Sequence, residues 1–318
     1  MNAPNARQPQ APTPFKLNIT RGVRREPPRI VIHGAPGMGK STLASHAPAP
    51  LFIDLEHGTL QMDVARIDDV TTWDGLMGTL RALATEPHDF RTLVIDTLDR
   101  AEWLAWQHLC AKERVDSIEK VGRGFGKGYI AAYELFRGMA AALETLRRTR
   151  GMAIIVVAHS KVEKAPNAAG DDYERWTLKV HKQIAGLFYE QFDAVLYARL
   201  EVFTQKSETG RVKGIGDARV IEAQESPAWL AKNRFAMPRQ IPLAWEDLDS
   251  AMNRGAAQVA SALRAELDAA VDKLAELDAA AGEHARREAE GVTDATRMNA
   301  LLGRVNAGIA KRINTKND

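Results

Sequence analysis

A glycine-rich segment between a β-prone run and a potential helix holds the residues with the most recognisable chemistry in this chain. Residues 34–42 read Gly-Ala-Pro-Gly-Met-Gly-Lys-Ser-Thr, and the apolar residues 30–32 precede them. Glycines allow a compact turn whose backbone N–H groups point at phosphate oxygens, and the positive end of a following helix adds to that field. The spacing therefore predicts a phosphate-binding P-loop.

Within this loop, Lys40 is expected to reach the β- and γ-phosphates of a nucleotide, and Ser41 to hold Mg²⁺. Asp96 ends the apolar run Thr-Leu-Val-Ile at residues 92–95 and is the second expected magnesium ligand, as in a Walker B strand. The alternative is a glycine-rich turn without a ligand, which the strand before it and the helix after it disfavour. The predicted nucleotide-binding residues are Gly34, Ala35, Pro36, Gly37, Met38, Gly39, Lys40, Ser41 and Thr42.

Alternating strand and helix patterns must position these residues. Short apolar runs at 51–54, 92–96 and 153–158 predict buried strands, and helical patterns separate them at 72–86, 101–111 and 129–148. This alternation predicts an α/β fold with a mostly parallel central sheet flanked by helices, whose ligands bind at the carboxyl ends of the strands. Gly34, Glu56, Asp96 and His159 all follow such ends.

Composition sets limits on the class of protein. The chain has 318 residues, a net charge of +2, 45% hydrophobic and 26% charged residues, and no apolar run long enough for a membrane span. Its proline-rich first residues lack the apolar segment of a secretory signal, so a cytoplasmic location is expected. Cys110 is the single cysteine and cannot form an intramolecular disulfide.

The pattern divides the chain into three parts. Residues 1–28 are expected to form a flexible arm with an edge strand near 15–20, which could pair with its own sheet or with a neighbouring subunit. Residues 29–245 form the predicted ATPase core. Residues 246–318 are expected to form a helical hairpin with a loose tail, because two apolar stripes repeat at helical spacing: Ala260, Leu263, Leu267, Ala270, Leu274 and Leu277, then Met298, Leu301, Leu302, Val305 and Ile309.

The position of the catalytic acid separates classes of P-loop protein. AAA+ ATPases close the Walker B strand with an Asp-Glu pair, whereas here Thr97 follows Asp96. Glu56, two residues beyond the second strand, is the candidate that polarises the attacking water. The alternative for Glu56 is a solvated acidic strand end.

Three segments resemble parts of RecA-like proteins. Phe-Ile-Asp-Leu-Glu-His at 52–57 is similar to the segment in which RecA-type recombinases carry their catalytic glutamate. His159 matches the position of a residue that senses the γ-phosphate, although a hydrogen-bonded histidine at a loop start is an alternative. Lys232-Asn-Arg234 looks like the segment from which DnaB-type ring helicases project basic fingers into a neighbour's ATP site, with a solvated turn as the alternative.

Taken together, these segments resemble phage-encoded RecA-like ATPases that act in single-strand annealing or recombination. The resemblance covers about residues 29–245. It implies binding of single-stranded DNA, ATP and Mg²⁺, hydrolysis of ATP, and assembly into a homo-oligomeric ring or filament, with a single-strand DNA-binding protein as a candidate partner. A nucleotide-switched loader of a helicase or recombinase with little hydrolysis is the competing hypothesis, and a small-molecule kinase is a distant third.

Two basic segments are the candidate DNA contacts. The glycine-rich segment at 122–128 and its flank contribute Lys120, Arg123, Phe125 and Lys127, where small residues let a phosphate backbone approach and an aromatic ring can stack on a base. The segment after His159 contributes Lys161, Lys164, Arg175 and Trp176. Because nearby acids dilute its charge, a solvated hairpin is the alternative for this second segment.

Overall fold

The computed structural model describes residues 19, 26–167, 170–201, 203–206, 212–215, 218–292 and 295–315. The predicted edge strand near 15–20 lies outside this part except for Ile19, as does the end of the tail. The strands are β1 (Arg29–Gly34), β2 (Pro50–Asp54), β3 (Ala65–Ile67), β4 (Thr92–Asp96), β5 (Ala153–Ala165), β6 (Tyr173–Leu178), β7 (Ala194–Leu200), β8 (Phe203–Lys206), β9 (Val212–Ile215), β10 (Arg219–Glu222), β11 (Lys232–Asn233) and β12 (Gln240–Pro242).

Among the described residues, five α-helices lie between strands, as the alternating pattern predicts, and three follow the last strand. They are α1 (Lys40–Ser45), α2 (Trp73–Thr85), α3 (Leu98–Glu113), α4 (Lys127–Arg150), α5 (Lys182–Gln191), α6 (Trp245–Leu277), α7 (Ala279–Ala289) and α8 (Ala295–Thr315), with a 3-10 helix at Ile118–Arg123. In the part of the chain that the structure describes, no helix combines the length and the apolar character that crossing a bilayer requires.

The main sheet runs in the order β12-β10-β7-β1-β5-β4-β2-β3. Neighbours from β7 to β3 are parallel, whereas β10 and β12 are antiparallel additions at one edge. β5 lies between β1 and β4, so the residues that follow these three strands meet at one edge of the sheet. The predicted mixed α/β fold with a mostly parallel sheet is confirmed.

Both faces of the sheet are buried, which explains why the central strands are apolar without alternation. Ile30 and Ile32 point to one face, where they pack with α1 and the start of α6, and Val31 points to the other. On that second face lies the apolar side of α2, where Trp73, Leu76, Leu80 and Leu83 are buried as predicted.

β5 extends beyond the predicted end of its strand at 158. Its second half, from Ser160 to Ala165, leaves the parallel sheet and pairs with β6 in an antiparallel hairpin. A two-stranded ribbon outside the core accepts polar residues on both faces, so the polar sequence did not indicate that the strand continues.

The chain divides into two compact units. The larger comprises Arg25–Gln258, and the smaller includes Val259–Asp318. The composition change placed the boundary at 245, but Trp245, Leu248 and Met252 of α6 belong to the apolar core of the larger unit. The sequence pattern did not separate these turns from the rest of α6, because all of α6 is amphipathic.

In its described residues the smaller unit contains three helical segments rather than the predicted hairpin of two helices. Asp278 interrupts the helical run, because its side chain accepts a hydrogen bond from Ala281 N at 3.0 Å and starts α7. α7 packs closely on α6, since a Cβ on Gly282 would lie 2.3 Å from Ala275 Cβ. The stripe Met298, Leu301, Leu302, Val305 and Ile309 of α8 is buried as predicted.

Candidate functional site: the nucleotide cleft

The P-loop joins β1 to α1 at the carboxyl edge of the sheet. Gly37 and Gly39 have φ values of 73° and 94°, which are strained for other residues and give the loop its compact turn. Gly34 leaves no room for a side chain, because a Cβ there would lie 2.4 Å from Ala198 O of β7. The glycine pattern of the sequence is thus explained by the path of the backbone.

Lys40 lies across the mouth of this loop. Its Nζ donates hydrogen bonds to Gly34 O at 3.1 Å and Ala35 O at 2.9 Å, and the residue is only 5% exposed. Burial lowers the pKa of Lys40, while the carboxylates of Asp96, Asp99 and Glu56 act in the opposite direction. A phosphate in the loop would replace these carbonyl contacts with charged ones.

Ser41 and Asp96, the two predicted magnesium ligands, lie next to each other at the start of α1 and the end of β4. Ser41 Oγ donates to Asp96 Oδ2 at 2.6 Å. Burial raises the pKa of Asp96 to about 6, against the effect of the Ser41 hydrogen bond. A hydroxyl and a carboxylate are the hard oxygen donors that Mg²⁺ prefers, and a cation would stabilise the ionised form of this buried acid. The donor set therefore fits magnesium.

Glu56 is held at the end of β2 by a structured turn. Asp54, fully buried, accepts hydrogen bonds from Gly58 N at 3.1 Å and Thr59 N at 2.9 Å, and these bonds fix the turn that carries Glu56. Thr97 Oγ1 donates to Glu56 Oε1 at 2.8 Å. Glu56 is therefore oriented by the residue that follows Asp96. This contact disfavours the alternative interpretation, in which Glu56 is only a solvated acid at the end of a strand.

His159, at the rim of the same cleft, is held by Asp99 of α3. The Asp99 carboxylate accepts from His159 N at 3.0 Å and lies 2.9 Å from His159 Nδ1, and Glu56 Oε1 lies 3.8 Å from the same ring nitrogen. The Asp99 hydrogen bond raises the pKa of His159, although burial opposes it. The pairing leaves the other ring nitrogen, Nε2, as the group that can meet a phosphate.

These groups line one cleft of about 310 Å³, together with most of the P-loop. The structure thus brings together Lys40, Ser41, Glu56, Asp96 and His159, as the strand-end positions predicted. Arg219, at the start of β10, also lines the cleft.

A family model described as an AAA domain matches residues 26–235, well over half of the chain. The chain belongs to this AAA domain family. The match makes it an AAA-type P-loop ATPase domain, which agrees with the cleft. A comparison with curated proteins gives no match. The threonine that follows Asp96 is an argument against the AAA+ class of ATPases in the sequence analysis. The AAA domain model matches although this position lacks a glutamate, and Thr97 donates a hydrogen bond to Glu56 there.

Lys232 and Arg234 of the AAA domain do not line the cleft of their own chain. Lys232 Nζ donates to Glu190 O at 2.9 Å, and Arg234 donates to the same carbonyl at 3.1 Å and lies 3.6 Å from Asp193. β11, which contains Lys232, pairs antiparallel with β7. Either residue could therefore act in catalysis only in the ATP site of another subunit. The catalytic role of Lys232 and Arg234 stays a prediction.

The glycine-rich segment forms an exposed turn between the 3-10 helix and α4. Arg123 and Phe125 have φ values of 66° and 57°, and Phe125 is 97% exposed. Within the described residues, no hydrogen bond or ion pair engages the side chains of Arg123 or Lys127, whereas Lys120 lies 2.7 Å from Asp116. This turn presents an aromatic ring between two free cations.

The second predicted DNA segment is the β5–β6 hairpin, and its cations already have partners. Lys161 donates to Val180 O at 3.0 Å, Lys164 lies 3.3 Å from Asp172, and Arg175 lies 3.1 Å from Glu225. Trp176 is 38% exposed and stacks on Tyr197 with ring centroids 6.3 Å apart. The geometry favours the solvated hairpin over a strong phosphate-binding surface.

Sequence reasoning missed Thr97 and Arg219, which line the cleft, and Asp54 and Asp99, which position its residues through hydrogen bonds. The Asp-Thr-Leu-Asp spacing at 96–99 was an available signal, since it places Asp99 on the first turn of a helix that starts after Asp96. Asp54 accepts hydrogen bonds within its own turn, whereas Thr97 donates to Glu56 from 41 positions away in the chain, and both contacts depend on the folded backbone. Arg219 lies in β10, an antiparallel strand between β12 and β7, and has no motif around it.

The buried carboxylate of Glu102, one turn beyond Asp99 on α3, should make the stability of the protein depend on pH. Its carboxylate accepts a hydrogen bond from His181 N at 2.7 Å, and burial raises its pKa from 4.5 to about 7. Between these two values the folded state binds a proton that the unfolded state lacks, so stability falls as pH rises. Glu102→Gln keeps a hydrogen-bond acceptor for His181 N and removes the loss of stability at high pH. The variant should therefore be more stable than wild type at pH 8 by up to about 3 kcal/mol.

Urea unfolding of both proteins at pH 5 and pH 8 measures this difference. Glu134→Gln, at an exposed position of α4, is the matched control and should follow the wild type. An identical pH dependence in Glu102→Gln and wild type would show that Glu102 is not the titrating group.

Proposed function

We propose that this protein is a RecA-like ATPase that hydrolyses Mg·ATP, binds single-stranded DNA and promotes annealing or recombination of strands as a homo-oligomer. The observation that carries the proposal is the position of Glu56, which lies in the P-loop cleft at the end of β2 and is held by Thr97. A carboxylate on the strand beside the Walker B strand is the arrangement that the RecA resemblance implies.

The predicted site residues that line the cleft have distinct roles in this reaction. The P-loop N–H groups and Lys40 bind the phosphates, and Ser41 and Asp96 would hold Mg²⁺, which would neutralise charge on the phosphates. Glu56 accepts a proton as water attacks the γ-phosphorus and the bond to the ADP oxygen breaks. His159, positioned by Asp99, donates a hydrogen bond to the γ-phosphate and loses that contact after hydrolysis.

For DNA, the free cations and exposed ring of the 122–128 turn support the glycine-rich segment as the main contact. Each phosphate contact on a single strand displaces a condensed counterion, giving a slope of log affinity against log salt of about −0.7 per contact. Replacing Arg123 and Lys127 by Ala should make this slope shallower by about 1.4, and fluorescence anisotropy of a labelled oligonucleotide measures it.

The double variant Lys164→Ala/Arg175→Ala is the matched control, because both of these hairpin cations already have an acidic partner. It should change the slope less than the first pair does. The opposite order would move the DNA contact to the hairpin.

The function as a whole is tested by ATP hydrolysis with and without single-stranded DNA, beside annealing of complementary oligonucleotides. We expect DNA to stimulate hydrolysis and the protein to accelerate annealing. The nucleotide-switched loader is the second candidate, because Lys232 and Arg234 are engaged by carbonyls of their own chain. Absence of both stimulation and annealing, with ATP still bound, would favour the loader.

A further inference from the structure

The direction of a bound triphosphate in the cleft follows from the groups around it. Glu56, Asp96 and His159 lie on the side where the terminal phosphate reacts in the proposed function. The rest of the nucleotide must then leave along the other wall of the P-loop, past Thr42, which follows Ser41 in the first turn of α1. That wall also contains Arg219.

A second cavity of about 210 Å³ opens at this point. It shares Gly39, Thr42 and Arg219 with the phosphate cleft, so the two are neighbouring compartments of one groove. Its remaining walls are Leu43 of α1, His46 directly after α1, Leu243 and Ala244 directly before α6, and Trp245 and Glu246 at the start of α6.

The chemistry of this cavity suits a flat heteroaromatic group. Leu43 and Trp245 are buried and Leu243 is partly buried, so the floor is apolar. His46 and Glu246 are exposed and place polar groups at the edge. Apolar walls with a few polar groups are typical of small-molecule sites, and a nucleobase has an apolar face and hydrogen-bonding edges.

Arg219 lies at the junction of the two compartments. A Cβ on Gly39 would be 3.1 Å from Arg219 Nη1 and 3.4 Å from Leu243 Cδ2, so both side chains lie directly over the P-loop. Among the described residues, none forms a hydrogen bond or ion pair with the Arg219 guanidinium. A free guanidinium beside phosphate-binding N–H groups is placed to bind a phosphate oxygen.

We propose that the cavity between α1 and the start of α6 is the nucleobase subsite, and that Arg219 binds the triphosphate where it passes from the P-loop into that subsite. The inference rests on the proposed ATP binding. It adds a site for the base and a phosphate contact from within the same subunit.

The test compares two probes on the full chain, a non-hydrolysable ATP analogue and inorganic tripolyphosphate, each with Mg²⁺ in isothermal titration calorimetry. The analogue should bind wild type more tightly than tripolyphosphate does, because only the analogue carries a base. His46→Trp fills the cavity from its exposed rim and should weaken the analogue about tenfold or more while leaving tripolyphosphate within about twofold. Arg219→Ala should weaken both probes about tenfold or more, since it removes a charged hydrogen bond.

His284→Trp, the same substitution at an exposed position of α7, is the control and should bind both probes as wild type does. Equal affinity of wild type for the two probes, or unchanged binding of the analogue to His46→Trp, would overturn the base subsite. Unchanged binding of both probes to Arg219→Ala would overturn the phosphate contact. Loss of both probes in Lys40→Ala would support phosphate binding by the P-loop. A wild-type protein that binds neither probe would contradict the proposed function as well as the subsite.

Discussion

Glu56→Gln should bind Mg·ATP with wild-type affinity and hydrolyse it at least about 100-fold more slowly. A general base typically contributes a factor of about 10² to 10⁴, and the amide keeps the size of the side chain and an oxygen that can accept from Thr97 while losing the proton acceptor. The Thr97 hydrogen bond of 2.8 Å orients the carboxylate in the wild type, so the substitution removes basicity with little change in geometry.

Single-turnover hydrolysis and equilibrium nucleotide binding separate the two effects. Lys40→Ala should instead weaken binding, because it removes the charge that pairs with the phosphates. Glu134→Gln, on the exposed side of α4, should leave both quantities unchanged. If Glu56→Gln hydrolyses ATP at the wild-type rate, another group activates the water, and the RecA-type assignment of the acid is wrong.

Much of the cleft could be predicted because its residues follow strand ends. Apolar runs located β1, β2, β4 and the first half of β5 within a few residues, and parallel strands bring their carboxyl ends to one edge. Gly34, Glu56, Asp96 and His159 therefore converge without any knowledge of the loops between them. The order of the strands was not available from the sequence, and it is this order that places His159 between the P-loop and Asp96.

Other features depended on contacts that leave no pattern in the sequence. Arg219 reaches the cleft only because β10 pairs antiparallel with β7, a pairing between residues about 20 positions apart in the chain. Helix α7 of the smaller unit begins after Asp278, inside a continuous helical pattern, and the sequence alone does not distinguish this capping aspartate from any other polar residue.

The contacts of Arg234 bear on whether this residue acts in its own subunit or in a neighbouring one. The sequence resemblance gives it a role in a neighbouring subunit, whereas the structure places it against Glu190 O and Asp193 of its own chain. Its side chain is 52% exposed, so the hydrogen bond that it makes is accessible to water and its loss in favour of a phosphate has a small cost. Both arrangements are compatible with the same fold, and only activity in mixed oligomers separates them.

Arg234→Ala should lower ATP turnover by about 10³ to 10⁵ while leaving ATP affinity within a modest factor, because an arginine supplied in trans stabilises charge that develops in the transition state. Arg137→Ala, which removes an exposed arginine of α4, is the matched control and should keep wild-type turnover. Wild-type activity per subunit should also rise with protein concentration, since a complete site needs two subunits.

Mixing two inactive variants gives the decisive measurement. Lys40→Ala has an intact finger and a defective pocket, whereas Arg234→Ala has an intact pocket and no finger. Random assembly of equal amounts places a complete composite site at about a quarter of the interfaces, so mixing should restore up to about a quarter of wild-type turnover. No recovery, with both variants folded and oligomeric, would mean that Arg234 serves its own subunit by holding the end of α5 beside β7, and the ATPase assignment would stand without the shared site.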